Sequence, residues 1–555
     1  MERSRLLAMV LSLSLGCERL GGLLSAPAPD GGAPSSPDGD GAEAGAEDSG
    51  ALAPEGDASS RPSADAAVAA ERAPDADAPP PGVSHTAIGR VNLHEAPQAG
   101  SRALGYVRAG AVLRSLQGPV GNDGCAPRRE VPLAGWHQID GGFVCVGGAV
   151  LPTAEVSAHR SLYERRLLVP PDRDASMPYA YAISYRPAVV YRWLPSSADE
   201  REAEPERFAP RAPRVAADAG ADATPAEARD ASPATPTASD AGADTGVRIE
   251  DLEGAAGSPV LRRMLHGMYV SLDRALRGDT GTFQHTQAGG FVRAGALTPV
   301  RNFPTFQGVT LDALHRLPVG FAISEATRTY QPNGRGGFAP VGRVPRLSAL
   351  WLSEEPPVPS AGDEYYHTQE GFFVRSRQVR VLTAHAPPAD LGPGEKWIDV
   401  NLDHQSLVAY EGPTPVYATV ASTGRRNRQV PEENYETIQG GFRILEKHVA
   451  TTMDGNSAND GPYSIEDVPW VMYFEGSFAL HGAFWHSGFG LMHSHGCVNL
   501  APADAHWVFD WSEPRVPPGW HGVFHNATRP GTRVYVHYDH QVLGESGGPR
   551  EVPRH

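Results

Sequence analysis

A cysteine flanked by two histidines lies near the C-terminal end of the chain, in the stretch HSHGCVNL at residues 493–500. Cys497 follows a Ser-His-Gly sequence, and His481 stands sixteen residues before it. A thiol becomes a strong nucleophile when a neighbouring imidazolium lowers its pKa into the range of about 3.5–7.5. The pattern therefore predicts covalent acyl transfer with Cys497 as the nucleophile and His481 as its base.

The residues around Cys497 also allow other interpretations. Gly496 would let backbone amides approach a developing oxyanion, which suits a catalytic turn. However, His481, His493, His495 and Cys497 could instead form a four-ligand zinc site, because alternate residues of an extended strand face one side. A buried structural thiol or an intermolecular disulfide are two further alternatives for the cysteine.

The first residues, MERSRLLAMVLSLSLGC, have the pattern of a secretory signal, with two arginines before an apolar run. The run from Leu6 to Leu15 is too short to span a bilayer, which takes about 20 residues. It ends in Leu-Gly-Cys and resembles a lipoprotein signal, which implies lipidation at Cys17. The alternative is a plain secretory signal followed by an incidental cysteine.

Export would place the cysteines in an oxidising compartment, where unpaired thiols are usually bridged or used. The chain has four cysteines. Cys17 would carry the lipid. Cys125 and Cys145 lie twenty residues apart in one small β-rich segment, a separation that a disulfide could close. Cys497 then remains without a partner.

The length of 555 residues predicts several domains, joined by segments that are not folded. Residues 1–24 form the predicted signal. Residues 25–82 hold twelve acidic residues, two arginines and hardly any large apolar side chain, which predicts a disordered acidic tether. A similar tract lies at residues 196–247. The formal charge of −17 and the lack of a basic stripe with interleaved aromatics argue against nucleic-acid binding.

Short runs rich in Val, Tyr and Phe, broken by Gly and Pro, predict small β-modules between these tracts. Residues 83–155 resemble a bacterial SH3-like domain. Within residues 156–390, FQHTQAGGFVR at 283–293 is repeated almost position for position as YYHTQEGFFVR at 365–375. We expect two copies of one β-module, the first of them interrupted by the tract at 196–247 in a surface loop.

The stretch HGAFWHSGFGLMHSHGCVNL closely resembles the signature of the L,D-transpeptidase family with a YkuD-type catalytic domain, a His-Gly pair followed by Ser-His-Gly-Cys. The resemblance covers about a quarter of the chain and implies a catalytic domain at residues 391–545. It implies that Cys497 is acylated, that His481 is the base and that the turn before the cysteine positions the thiol. The site residues that it implies are Cys497, His481, His495, Ser494 and Gly496 for catalysis, with Tyr463, Asn499 and Trp485 in contact with substrate.

The expected fold is mainly β and multidomain, with SH3-like modules, a sandwich-like YkuD-type catalytic domain and disordered acidic linkers. The resemblance implies an enzyme that acts on peptidoglycan stem peptides, forming 3→3 cross-links through a thioester, with no metal or other cofactor. The expected location is the periplasm or cell envelope, as an outer-membrane lipoprotein anchored to the membrane by its N-terminal lipid. Two alternatives are an L,D-carboxypeptidase or murein hydrolase on the same scaffold, and a non-catalytic wall-binding lipoprotein.

Overall fold

The computed structural model describes residues 83–125, 131–208, 246–427, 429–431, 434–457, 461–539, 541–543 and 549–551. The predicted signal, Cys17 and the acidic tether lie outside the described residues. The described chain is mostly β with a few short helices, which confirms the expected fold class. Among the helices in these ranges, none is long and apolar enough to cross a bilayer.

The first described segment is a small N-terminal β domain. Its elements are β1 (Ser84–Ala87), β2 (Val91–His94), β3 (Ala103–Val107), β4 (Val112–Gln117), β5 (Gly135–Ile139), β6 (Gly142–Val146), β7 (Val150–Pro152), α1 (Thr153–Ala158) and α2 (Arg160–Tyr163). β1 pairs with β4 and β7, β2 pairs with β3 and β6, and β5 joins β4 to β6. A disulfide links Cys125 to Cys145, with 5.5 Å between the Cα atoms.

A first β-module follows. Its elements are β8 (Ala180–Ile183), β9 (Ala188–Tyr191), α3 (Ser197–Ala203), α4 (Pro205–Phe208), β10 (Val260–Met264), β11 (Tyr269–Gly278), β12 (Gly281–Thr286), β13 (Phe291–Arg293) and β14 (Thr298–Pro299). β8 pairs with β11 and β14, β9 pairs with β10 and β13, and β12 joins β11 to β13.

The start of the predicted disordered insertion at residue 196 is wrong, because residues 197–208 are helical. Ser196 caps α3 by exchanging hydrogen bonds with Asp199 in a capping box. Glu200 is buried and forms an ion pair with Arg293 of β13, which attaches the helix to the module. Residues 209–245 lie outside the described part of the chain.

A second module repeats this arrangement. Its segment begins with β15 (Val309–Thr310) and continues with β16 (Val319–Ala322), β17 (Thr327–Pro332), β18 (Phe338–Val344), β19 (Ala349–Trp351), β20 (Val358–Ser360), β21 (Asp363–His367), β22 (Phe373–Arg375) and β23 (Val379–Leu382). β16 pairs with β19 and β23, β17 pairs with β18 and β22, and β21 joins β20 to β22. These pairings correspond strand for strand to those of the first module and support the interpretation of two copies.

The rest of the described chain forms a two-layered sandwich with one longer helix. Its elements are β24 (Lys396–Asn401), β25 (Ser406–Glu411), β26 (Thr414–Val420), β27 (Gly440–Arg443), β28 (Glu446–Ser457), β29 (Gly461–Glu475), β30 (Phe478–Gly482), β31 (Val498–Leu500), α5 (Pro502–Trp511), β32 (Gly522–Phe524), β33 (Arg533–His537), β34 (Gln541–Leu543) and β35 (Pro549–Glu551). One sheet has the order β15-β26-β25-β24-β33-β27. In the other, β32, β28, β29, β30 and β31 are successive neighbours, with β30 and β31 parallel.

One apolar core holds these layers together. Ile398 and Val534 from the first sheet, Trp470 and Leu480 from the second, and Val508 from α5 all belong to it and are buried. The same core continues into the N-terminal β domain, because β3 pairs with β32 and Trp520 is buried between the two. The strands of the candidate site therefore rest on a densely packed support.

Candidate active site

The predicted nucleophile and base lie on neighbouring parallel strands. His481 is in β30, and Cys497 immediately precedes β31, whose Val498 pairs with Leu480. The Cys497 sulfur donates to the carbonyl oxygen of Ser477 at 3.5 Å and receives the backbone N–H of Ala479. The fold thus brings the thiol against the same strand that carries His481.

Burial keeps both groups neutral at neutral pH. It raises the pKa of the Cys497 thiol to about 11, although the Ala479 N–H acts in the opposite direction. It lowers the pKa of His481 to about 4, against a smaller contribution from the Gly482 carbonyl. Both shifts run opposite to the expectation that an imidazolium lowers the thiol pKa, because desolvation disfavours both charged forms.

The hydrogen bond of His481 determines which of its nitrogens can act as a base. Nδ1 lies 3.1 Å from the carbonyl oxygen of Gly482. A carbonyl only accepts hydrogen bonds, so Nδ1 carries the proton and Nε2 of the neutral ring holds the lone pair. Trp485 stacks on the His481 ring with 5.8 Å between centroids and also packs into the apolar cluster around Cys497.

A short turn sets the position of Cys497. The Ser494 hydroxyl donates to the Cys497 carbonyl oxygen and accepts the N–H of Gly496 at 3.2 Å. Gly496 has a φ of +123°, and a Cβ there would lie 2.9 Å from the Phe478 ring. Glycine is therefore required by both the backbone conformation and the contact.

His495 faces outward rather than toward the thiol. Its Nε2 lies 2.7 Å from Nη2 of Arg425, and its ring stacks on Tyr463, with 5.5 Å between centroids and 9° between planes. Tyr435 meets the same ring edge-on at 4.7 Å. Tyr463 and His495 together thus form an aromatic wall beside the turn, and Arg425 is a residue that sequence reasoning missed, since no motif surrounds it.

The Asn499 side chain contacts a second histidine, His486. The Asn499 amide lies 2.9 Å from Nε2 of His486, whose Nδ1 accepts the N–H of Gly488 at 3.1 Å. Burial lowers the pKa of His486 to about 2, so its ring is neutral and has one donor and one acceptor. The Asn499 amide nitrogen faces Nε2, and its amide oxygen is buried with no hydrogen-bond partner among the described residues.

The four residues of the alternative zinc site, which are His481, His493, His495 and Cys497, do not form one metal-binding cluster in the structure. Residues 494–497 form a turn instead of a strand, and His493 packs on the His486 ring with 4.0 Å between centroids. Within the described ranges, the cluster of metal-ligating groups that the structure brings together lies elsewhere and does not include Cys497. The turn is anchored from the first sheet, because the Arg425 N–H donates to the Ser494 carbonyl at 2.9 Å.

Comparison with known proteins agrees with the location of this site. A family model described as the YkuD L,D-transpeptidase catalytic domain matches residues 395–536. A search of curated proteins found no match. Many solved structures do match, and this chain spans 65% of the first of them.

Three of these structures are L,D-transpeptidases or parts of them. The protein from Xylanimonas cellulosilytica DSM 15894 is 22% identical over 28% of this chain and 65% of its own, with a TM-score of 0.20. The catalytic domain of the E. faecium enzyme is 24% identical over 26% of this chain and 98% of its own, with a TM-score of 0.20. The Mycobacterium smegmatis enzyme is 17% identical over 34% of this chain and 90% of its own, with a TM-score of 0.20.

The family model covers Cys497, His481 and the strands that carry them. It confirms the resemblance drawn from the sequence. Residues 395–536 of this chain therefore match the catalytic domain of the YkuD L,D-transpeptidases.

Proposed function

We propose that this chain is a peptidoglycan L,D-transpeptidase that forms 3→3 cross-links through a thioester on Cys497. The observation that carries the proposal is the position of this thiol directly before β31, beside the strand β30 that carries the neutral His481. Because Nδ1 donates to the Gly482 carbonyl, the lone pair of the neutral His481 ring is at Nε2. A neutral thiol beside a neutral base is competent for acyl transfer when the proton leaves as the sulfur attacks.

In the first step, the Cys497 sulfur attacks the carbonyl carbon of the third residue of a stem tetrapeptide. The thiol proton moves to Nε2 of His481 and from there to the leaving amine. The C–N bond breaks, the terminal D-amino acid departs, and a thioester remains. Backbone amides beside Cys497, held by the turn that Ser494 and Gly496 form, would receive the negative charge on the carbonyl oxygen.

In the second step, the side-chain amine of a diamino acid on another stem attacks the thioester. His481 takes a proton from this amine and returns it to the departing sulfur as the C–S bond breaks. The product is an amide between the two third residues, and the enzyme regains its neutral thiol. If water attacks instead, the same scaffold releases a tripeptide and acts as a carboxypeptidase.

Substrate contacts would come from the surroundings of the thiol. Tyr463 and His495 offer a flat aromatic wall, and Trp485 covers the His481 ring. The buried amide oxygen of Asn499 could accept a hydrogen bond from an N–H of the stem peptide. A buried acceptor without a partner costs about 1–3 kcal/mol, which a substrate donor would recover on binding.

We further propose that the chain is exported and acts in the cell envelope. The disulfide between Cys125 and Cys145 supports an oxidising compartment. A lipid on Cys17 followed by the acidic tether would hold the folded part roughly 40–45 Å from the membrane, if the tether behaves as a flexible coil. The SH3-like domain and the two modules would then contact the wall.

To test the proposal, the full chain is incubated with a disaccharide-tetrapeptide, and the mass of the intact protein is then measured. The expected mass gain equals that of the donor minus its terminal D-amino acid. Cys497→Ala should show no gain, whereas Cys17→Ala, which also removes a cysteine, should acylate like the unsubstituted chain. An unmodified chain with an intact Cys497 thiol would refute the proposal.

Addition of a second stem peptide separates the two reactions. A 3→3 dimer in the product mixture would establish transfer. A tripeptide monomer alone, even with excess acceptor, would show that water resolves the thioester and that the enzyme is a hydrolase.

A further inference from the structure

Three metal-ligating side chains meet in the other sheet of the sandwich, away from the strands of Cys497. Asp399 lies on β24, His537 on the adjacent β33, and His385 in the segment that joins β23 to β24. Their donor atoms all lie within 4.8 Å of one another. Nδ1 of His385 is 3.1 Å from one oxygen of Asp399, and Nε2 of His537 is 2.7 Å from the other.

The Asp399 carboxylate is buried, with a side chain only 3% exposed. Each of its two oxygens faces an imidazole nitrogen, and no lysine or arginine of the described chain forms an ion pair with it. A buried carboxylate requires a positive charge or strong hydrogen bonds close to both oxygens. Protons on the two facing imidazole nitrogens meet this requirement, and so does a cation held between the imidazoles and the carboxylate.

The orientation of His537 indicates which nitrogen is available. Its Nδ1 lies 3.2 Å from the carbonyl oxygen of Tyr538, which can only accept, so Nδ1 carries a proton. Nε2 is then the nitrogen that faces Asp399 and that can bind a cation held there. A histidine that donates from one nitrogen to a backbone carbonyl and binds the ion through the other has the arrangement common in metal ligands.

We propose that His385, Asp399 and His537 bind a divalent transition-metal ion, for which zinc is the best match. Two imidazoles and a carboxylate are a usual three-residue set for zinc, with water in the fourth position. Ligand bonds of about 2.0–2.1 Å in tetrahedral geometry separate the donor atoms by about 3.3 Å. The two His-to-Asp distances need to widen by only a few tenths of an ångström to accept the ion.

The negative charge of the site and its exposure to solvent are both suited to a divalent cation. Asp539, which hydrogen-bonds to Asn401 and His404 at 2.6 and 2.9 Å, adds a second negative charge near both imidazoles. Asp399, Asp539 and a dication together are neutral. The side chain of His385 is 30% exposed, so an ion can enter and a water ligand can reach it from that side.

Such an ion would fasten the segment between the second module and the sandwich. His385 belongs to residues 383–395, which connect β23 to β24, whereas the other two ligands are in the sheet. The ion would join segment and sheet by coordinate bonds and stabilise the folded state, since the ligands are not assembled in the unfolded chain. This role does not depend on the acyl-transfer chemistry.

The test measures zinc bound to the full chain. The chain is treated with a chelator, incubated with zinc chloride, passed through a desalting column and analysed for zinc by mass spectrometry, with the affinity from calorimetry. We expect about one zinc per chain and a higher unfolding midpoint with zinc than without it. His385→Ala should weaken the affinity by more than about tenfold, because loss of even an outer partner of a ligand costs 10–100-fold.

Two matched variants locate the ion. His315→Ala removes a half-exposed histidine that pairs with Asp312 and should bind zinc like the unsubstituted chain. Cys497→Ala should also retain zinc. An unsubstituted chain that retains no zinc would overturn the proposal and leave an imidazole–carboxylate hydrogen-bond network only. Zinc that is lost in Cys497→Ala and kept in His385→Ala would overturn it too, by placing the ion at the thiol.

Discussion

Alkylation of Cys497 should be slow at neutral pH and should accelerate as the pH rises. Only the thiolate reacts with iodoacetamide, and burial raises the pKa of this thiol to about 11. The neighbouring His481 is neutral above about pH 4 and provides no positive charge to stabilise the thiolate. The alkylation rate therefore reports directly whether the free enzyme holds a neutral pair or an ion pair.

The size of the effect follows from the two pKa values. At pH 7, a thiol of pKa about 11 is roughly 0.01% thiolate, against roughly 1% at the ordinary value of 9.0. The more basic thiolate is intrinsically about 6–10-fold more nucleophilic, given a Brønsted coefficient of about 0.4–0.5. Together these give alkylation about tenfold slower than for the same cysteine in the unfolded chain.

The assay uses a Cys17→Ala chain, in which the disulfide leaves Cys497 as the remaining free thiol. Intact mass is recorded during iodoacetamide treatment between pH 6 and pH 10, with the same chain in urea as the control. The logarithm of the rate should rise with a slope of about one throughout, as expected for a thiolate fraction far below saturation. A plateau between pH 6 and pH 7 would show a thiolate–imidazolium pair and refute the reasoning.

Three further substitutions test the site and its support. His481→Ala should lower acylation about 10²–10⁴-fold while circular dichroism stays unchanged, because it removes the base; an acylation rate within a few-fold of the unsubstituted chain would exclude His481 from proton transfer. Ser494→Ala should lower the free energy of unfolding in urea by about 1–3 kcal/mol, since the buried Cys497 carbonyl and Gly496 N–H lose their partner. It should slow acylation as well. Unchanged stability would mean that the turn does not need the hydroxyl. Cys145→Ser opens a twenty-residue loop and should lower the free energy of unfolding by about 3 kcal/mol. Acylation should be retained. Equal urea midpoints for the reduced and the oxidised forms of the unsubstituted chain would contradict this prediction.

The mostly β fold and the family of residues 395–536 could both be predicted from the sequence. All residues of the signature around Cys497 lie in a single short stretch, so their spacing can be recognised without knowledge of the fold. The strand pattern was readable for a similar reason: in β24, successive residues such as Trp397 and Ile398 point to opposite faces and pack into different clusters. Local rules of this kind need no information about distant segments.

Properties that depend on distant segments could not be predicted. The pKa of Cys497 rises because desolvation disfavours the thiolate where the side chain packs against the buried cluster of Val468, Val471 and Ala479, and no sequence pattern reports that environment. Arg425 reaches His495 from seventy residues away. Composition likewise placed residues 197–208 in a disordered tract, although a buried contact between Glu200 and Arg293 makes them helical.

The pairing of β3 with β32 limits how this chain can be divided or recombined with other proteins. A fragment that began at β24 would leave β32 as an open sheet edge and uncover Trp520, which the N-terminal β domain buries. Open edges and large apolar side chains promote aggregation. The N-terminal β domain thus completes the sheet and the core of residues 395–536, and recombination that transfers those residues alone would leave this edge and Trp520 uncovered.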